Sequence, residues 1–315
     1  MPKRPSKPTD RKPDSPESLR RDVTRLLSQQ EFGSIDDVNA FLEQMVGQPI
    51  GSVEPANDQE RAEDLVLAAR VERSAAKRRR MVGEALALDG DCVPAHLFLA
   101  EEASGPTEAL THASNAVAAG ERVLAPLLAE EMPFLWGDPV GRFWLLARGL
   151  LANICWDMGD RPRALAEARE LVRLNPNDNQ GIRYELLQWL MRAGSIGEID
   201  QLLAAYDERS TPWLFTTALH RYRIEGPTAS ATRALRSAIT ENTFVMPMLL
   251  GAHPMPAELP DIYSPGDENE AAIYVHAALS VWIDAGDALD WAEEVSRTPT
   301  AKRSGRTGGR SGRRS

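Results

Sequence analysis

Apolar residues recur along most of this chain at the three-and-four spacing of amphipathic helices, and nothing reads as alternating strands and helices. Leu19, Val23, Leu26 and Leu27 predict a helix over 18–30. Ser34 and Asp37, three apart ahead of Val38, form a capping-box-like start for a second helix. Gly47 to Asn57, rich in Gly and Pro, interrupts the pattern. The helical period resumes at Asp58 through Leu65, Val66 and Ala69, then across Met81, Ala85 and Leu88.

A longer period lies over the short one. In GDRPRALAEARELVRLNP (159–176), Gly159 makes a turn, Ala164 and Ala168 are small residues at a helix crossing, Val172 and Leu174 face a core, and Asn175-Pro176 ends the unit. Small residues let two helix backbones approach, and proline stops the helix because it lacks an amide hydrogen. Phe143 to Asp157 supplies the preceding partner helix. The next unit begins over 179–192, and Ala193-Gly194 follows Met158-Gly159 by 35 residues. Degenerate traces lie earlier, with Ala85 to Asp89 ending one unit, Ala95 to Glu101 opening the next, and Ala109, Ala113 and Ala116 continuing it.

The fold expected is all-α: a tetratricopeptide-like helix-pair solenoid with degenerate repeats. A late pair, from about 265 to 284 and from about 287, caps it, with Asp267 and Glu270 at capping-box spacing. The proline-rich stretch Phe244 to Ser264 reads as an extended connection. The domain plan is a disordered basic N-terminus over 1–17, a helical hairpin and linker over 18–57, the helical domain over 58–296, and a disordered Arg/Gly/Ser-rich tail over 297–315.

LNPNDNQGIRY (174–184), GERVLAPLLAEEMPFLWG (120–137) and YSPGDENEAAIYVHAALSVWIDAGDALDWA (263–292) together resemble the bacterial, soluble members of the suppression-of-tumorigenicity family of tetratricopeptide-like proteins. The resemblance covers roughly 62–292 and is most specific at Asn175 to Gly181 with Arg183-Tyr184. It implies a helical repeat protein with no established catalytic activity. Animal members are membrane-associated; this sequence has no comparable span, so their location and any tumour-related role do not transfer.

Charge changes the picture at the ends. The net charge is −10, yet residues 1–21 carry seven Lys/Arg against three acids, and residues 297–315 carry seven and no acid. An acidic body between basic ends is a poor surface for phosphate backbones. Nucleic acid is therefore a possible partner only through the tail, at Arg303, Arg306, Arg310, Arg313 and Arg314. The bland alternative is a solubilising end. The run Lys77 to Arg80 points in nearly all directions around a helix and reads as a solvated, ion-paired face. No transmembrane span and no secretory signal is expected, which places the protein in the cytoplasm.

Enzymatic readings find little. The five histidines form no metal-ligand spacing, Cys92 and Cys155 read as reduced core residues, and no phosphate loop, dinucleotide turn or nucleophile elbow is present. No cofactor or metal is expected. Glu270, Tyr274 and His276 are the weak enzymatic alternative. Asn177 to Asn179 lack the rest of a calcium loop and read as a helix cap.

In tetratricopeptide arrays the first helix of each pair lines a concave groove, which places Asn153, Trp156, Arg183 and Tyr184 toward a bound peptide. A carboxylate clamp is not supported, because Gly149 and Tyr184 stand where it needs Lys and Asn. Arg183→Ala is expected to weaken a partner without lowering the melting temperature. Most of the seven tryptophans read as core. The function expected is that of a non-enzymatic protein-binding or scaffold module.

Overall fold

The computed structural model describes residues 16–30, 32–48, 51–130 and 134–298. They form sixteen helices and no strand: α1 (Pro16–Ser28), α2 (Ile35–Met45), α3 (Asp58–Val71), α4 (Ala75–Leu88), α5 (Val93–Glu101), α6 (Pro106–Val123), α7 (Ala125–Leu128), α8 (Pro139–Asp157), α9 (Arg161–Leu174), α10 (Ile182–Ala193), α11 (Ile196–Ala205), α12 (Thr211–Glu225), α13 (Ala229–Glu241), α14 (Val245–Leu249), α15 (Glu268–Ile283) and α16 (Ala288–Arg297). Two compact units divide the chain, Met1–Ile182 and Arg183–Ser315. The division falls at the first residue of α10, within the helical domain expected over 58–296.

In the first unit neighbouring helices pack as pairs: α3 with α4, α5 with α6, and α8 with α9. The pairs also stack in a consistent way. Helix α5 rests on both α3 and α4, and α8 on both α5 and α6. Ala62 and Ala69 of α3, Ala85 of α4 and Ala95 of α5 have no exposed surface, so small side chains set the close approach of these backbones. At the α6–α8 crossing a Cβ on Gly120 would overlap the Trp144 ring. Glycine there lets the indole seat and donate to the Val117 carbonyl at 3.0 Å.

The turn at Gly159 has a defined chemistry. Gly159 takes a φ of 88°, its amide donates to the Trp156 carbonyl, and the Asp160 amide reaches back to the Cys155 carbonyl. This is the Schellman closure that satisfies the last carbonyls of α8. The same two bonds recur at Gly194, φ 69°, from Gly194 to Met191 and from Ser195 to Leu190. The 35-residue spacing seen in the sequence is thus a repeated backbone geometry.

The second unit is less regular. Helices α12 and α13 pair, α15 packs on α12, α14 and α16, and α16 also lies on α13 and α12. The expected extended connection over 244–264 is corrected in part. Val245, Met246, Met248 and Leu249 are all buried and form helix α14. Pro247 sits within its first turn, where a missing amide hydrogen costs no intrahelical bond.

Several local expectations hold. Ser34 accepts from the Asp37 amide at 3.2 Å, and Asp267 accepts from the Glu270 amide at 2.8 Å. Six tryptophans (144, 156, 189, 213, 282 and 291) are buried. Both cysteines are buried and free, and burial pushes the Cys92 thiol up to about 12. Lys77 pairs with Glu72, Arg78 with Glu102 and Arg80 with Glu84, as the ion-paired reading requires. No helix among the described residues is long and apolar enough to cross a membrane.

Candidate functional site

The four residues assigned from sequence to a groove fall in two units. On α8, Asn153 is exposed but Trp156 is buried. The Arg161 guanidinium lies 3.8 Å from the Trp156 ring centroid and also donates to the Trp156 carbonyl. Trp156 is therefore covered by its own chain.

In the second unit Arg183 is held by its neighbours. Its Nε and Nη2 donate to Glu208 at 3.1 and 2.8 Å, and its guanidinium faces the rings of Tyr184 at 4.4 Å and Tyr206 at 5.2 Å. Both tyrosines meet Trp213 edge-on. With 16% of its side chain exposed, Arg183 reads as a packing residue, because a charge-assisted fork and two ring faces fix its position. The stable melting temperature expected of Arg183→Ala is revised accordingly.

The enzymatic alternative does not converge on an accessible space. Glu270, 5% exposed, accepts from the Thr211 amide at 3.1 Å, the Thr211 hydroxyl at 2.7 Å and the Gly266 amide at 2.6 Å. Asn242, fully buried, donates to the Thr211 hydroxyl and to the Asp267 carbonyl. The Glu270 carboxylate thus satisfies the first amide of α12, where the helix dipole also favours it. Tyr274 is buried, accepts from the Trp282 indole at 2.9 Å, and has its hydroxyl pushed well above the ordinary range by burial. His276 is exposed.

An accessible cleft lies in the first unit. Its larger part, of about 230 Å³, is lined by Arg21, Thr24, Arg25 and Ser28 of α1, by Asn57, Gln59, Glu60 and Glu63 at the start of α3, and by Asp138 to Val140 at the start of α8. A narrower part adds Leu67 of α3, Pro94 of α5, and Arg142 and Phe143 of α8. Arg21, Glu63 and Pro139 line both parts, so α1, α3 and α8 share the cleft, and α5 reaches only its narrower part through Pro94.

Its electrostatics are dominated by one network. Arg25, 4% exposed, donates to Asp64 at 2.9 and 3.2 Å, to the Val53 carbonyl at 3.1 Å and to the Glu60 carbonyl at 2.9 Å, and its Nε lies 2.9 Å from the Glu60 carboxylate. Arg21 bridges Asp64 at 2.6 Å and Asp22 at 2.9 Å, and Asp22 also accepts from the Val53 amide. The second Asp22 oxygen is buried without a hydrogen-bond partner.

Glu63 receives a hydrogen bond from the Gln59 amide at 3.3 Å, and desolvation raises its pKa above the usual carboxylate range. A desolvated acid in a cleft marks a place where a ligand's positive charge would be welcome. None of Arg21, Arg25, Glu60, Glu63 and Asp64 stood out in the sequence. The available signal was two arginines one turn apart on α1 against two acids one turn apart on α3.

The described residues contain no cluster of His, Cys, Asp or Glu suited to a metal ion. Asp178, buried with φ 45°, accepts from the Ile182 amide at 2.9 Å and so caps α10. Arg303, Arg306, Arg310, Arg313 and Arg314 lie outside the described residues. The chain matches no protein-family model and no curated protein.

Proposed function

We propose that this protein is a non-enzymatic, cytoplasmic protein-binding or scaffold module of the tetratricopeptide-like kind, with α15 and α16 as its cap, and that it is a bacterial relative of the suppression-of-tumorigenicity family. The observation that carries the reading is the cleft shared by α1, α3, α5 and α8. The first helices α3 and α8 line its open part and α5 reaches its narrow part through Pro94, which supports the use to which helical repeats put the side formed by their first helices. The stacking of α5 on α3 and α4, and of α8 on α5 and α6, supports the same architecture.

The test is affinity capture with the full chain and with Phe143→Glu, which places a charge on the cleft wall. Partners of the cleft are lost by the variant while its helical melt is retained. A partner set indifferent to Phe143→Glu would remove the cleft from this role. The second reading, contact with RNA or DNA through the tail, rests on seven Lys/Arg without an acid over 297–315. Deleting those residues abolishes such binding and leaves cleft partners in place.

A further inference from the structure

Amphipathic helices ordinarily dock by their apolar stripe. Helix α1 adds a buried polar anchor to a stripe that is only half-buried. Its enclosed residues are Asp22 at 0% and Arg25 at 4% exposure, whereas Leu19 is 40% exposed and Val23, Leu26 and Leu27 are half-buried. What seats it is a set of ionic and hydrogen bonds to Glu60, Asp64 and both polar groups of Val53. Arg21, Glu60 and Asp64 keep 16%, 24% and 30% of their side chains exposed, so salt screens their share of these contacts, which a ligand offering the same charges can take over.

The fit is also incomplete. About 230 Å³ remains between α1, α3 and α8, one Asp22 oxygen lacks a partner, and Glu63 meets an amide rather than a cation by hydrogen bonding. The floor supplied by α3 offers Glu60 and Glu63, Asp64 beside it pairs with Arg21 and Arg25, and Asp138 stands at the edge. That surface suits a cationic helix and repels phosphate.

Resting on the protein-binding reading above, we propose that this cleft is a docking site for a basic amphipathic helix. Helix α1 is its intramolecular occupant. A partner helix carrying two arginines one turn apart takes the place of α1, and a third cation reaching Glu63 gives such a partner its advantage over α1.

The probe is a labelled synthetic peptide of residues 16–28, PESLRRDVTRLLS, titrated by fluorescence anisotropy against the full chain and its R21A/R25A variant. With the internal helix unlatched, the variant binds the peptide about tenfold more tightly than the wild type, the factor expected if α1 is seated roughly nine-tenths of the time. A peptide with both arginines replaced by alanine does not bind. Should R21A/R25A fail to melt cooperatively, Arg25→Lys keeps the charge, loses the fork, and gives an intermediate affinity. Equal binding to wild type and variant, or binding to neither, overturns the proposal. If the peptide fails while Phe143→Glu still loses captured partners, protein binding stands and only the role of α1 falls; if Phe143→Glu also loses none, the binding reading falls with it.

Discussion

Each unit buries a charged network between helices, and the two networks differ in how completely they are closed. In the second unit the Glu270 carboxylate is enclosed by the Thr211 amide and hydroxyl and the Gly266 amide, with Asn242 completing the shell. No cation is needed, because backbone dipoles and a helix start stabilise the charge. In the first unit Arg21, Asp22, Arg25, Glu60 and Asp64 form an ionic chain that opens onto a cleft. A sealed network fixes an architecture; an open one beside unfilled space can exchange partners. The same residue types thus serve a permanent joint in one unit and a latch in the other.

Substitutions separate the two roles, and the largest effect is expected at the joint. Glu270→Ala strands two amides and a hydroxyl away from water, so the second unit loses about 3 kcal/mol, measured by denaturant unfolding. A loss well under 1 kcal/mol would mean the network opens to solvent. Arg183→Ala removes the Glu208 fork and the two tyrosine faces, lowering stability by about 1–2 kcal/mol in the same measurement.

At the latch the response is smaller. Arg25→Ala releases α1, after which Glu60 and Asp64, already 24% and 30% exposed, rehydrate, so the first unit loses only the net worth of the hydrogen bonds, about 1 kcal/mol. Tryptic cleavage within 16–28 accelerates. A loss as large as that of Glu270→Ala would make the latch a second joint.

Glu63 gives the smallest effect and the opposite sign. Its folded-state pKa is raised above the ordinary 4.5, so the folded chain holds this proton more tightly than the unfolded one. The stabilising contribution is complete below the unfolded value and is lost as pH rises through the folded one. Glu63→Gln is therefore slightly more stable than wild type at pH 7, and the two melting temperatures converge by pH 4. A variant less stable at pH 7 would show that the carboxylate is stabilised where it lies.

Much of the fold was legible because its causes are local. Ser34 and Asp267 cap the helices their spacing announced, and Gly159 and Gly194 repeat one turn 35 residues apart because each must close a helix with a positive φ. Helix α14 was hidden, since Pro247 masks a segment whose helicity follows from burying Val245, Met246, Met248 and Leu249. The site was less legible. The leucine stripe of α1 suggested an apolar face and is half-buried, but the residues most enclosed are Asp22 and Arg25, and Arg25 finds Asp64 across 39 positions of sequence. Arg183 was assigned to a partner by its place on a first helix. Its true neighbours, Tyr206 and Glu208, come from the loop after α11, and nothing near Arg183 in sequence announces them.

The most direct measurement is hydrogen–deuterium exchange of the wild-type chain between about 0.1 and 1 M NaCl, over which the screening length falls from roughly 10 to 3 Å. The expected result is that amides over 16–28 lose protection while those of α3, α8 and α15 keep theirs. Protection of α1 that is indifferent to salt, or that falls together with α3, would contradict a charge-held, exchangeable helix in the cleft.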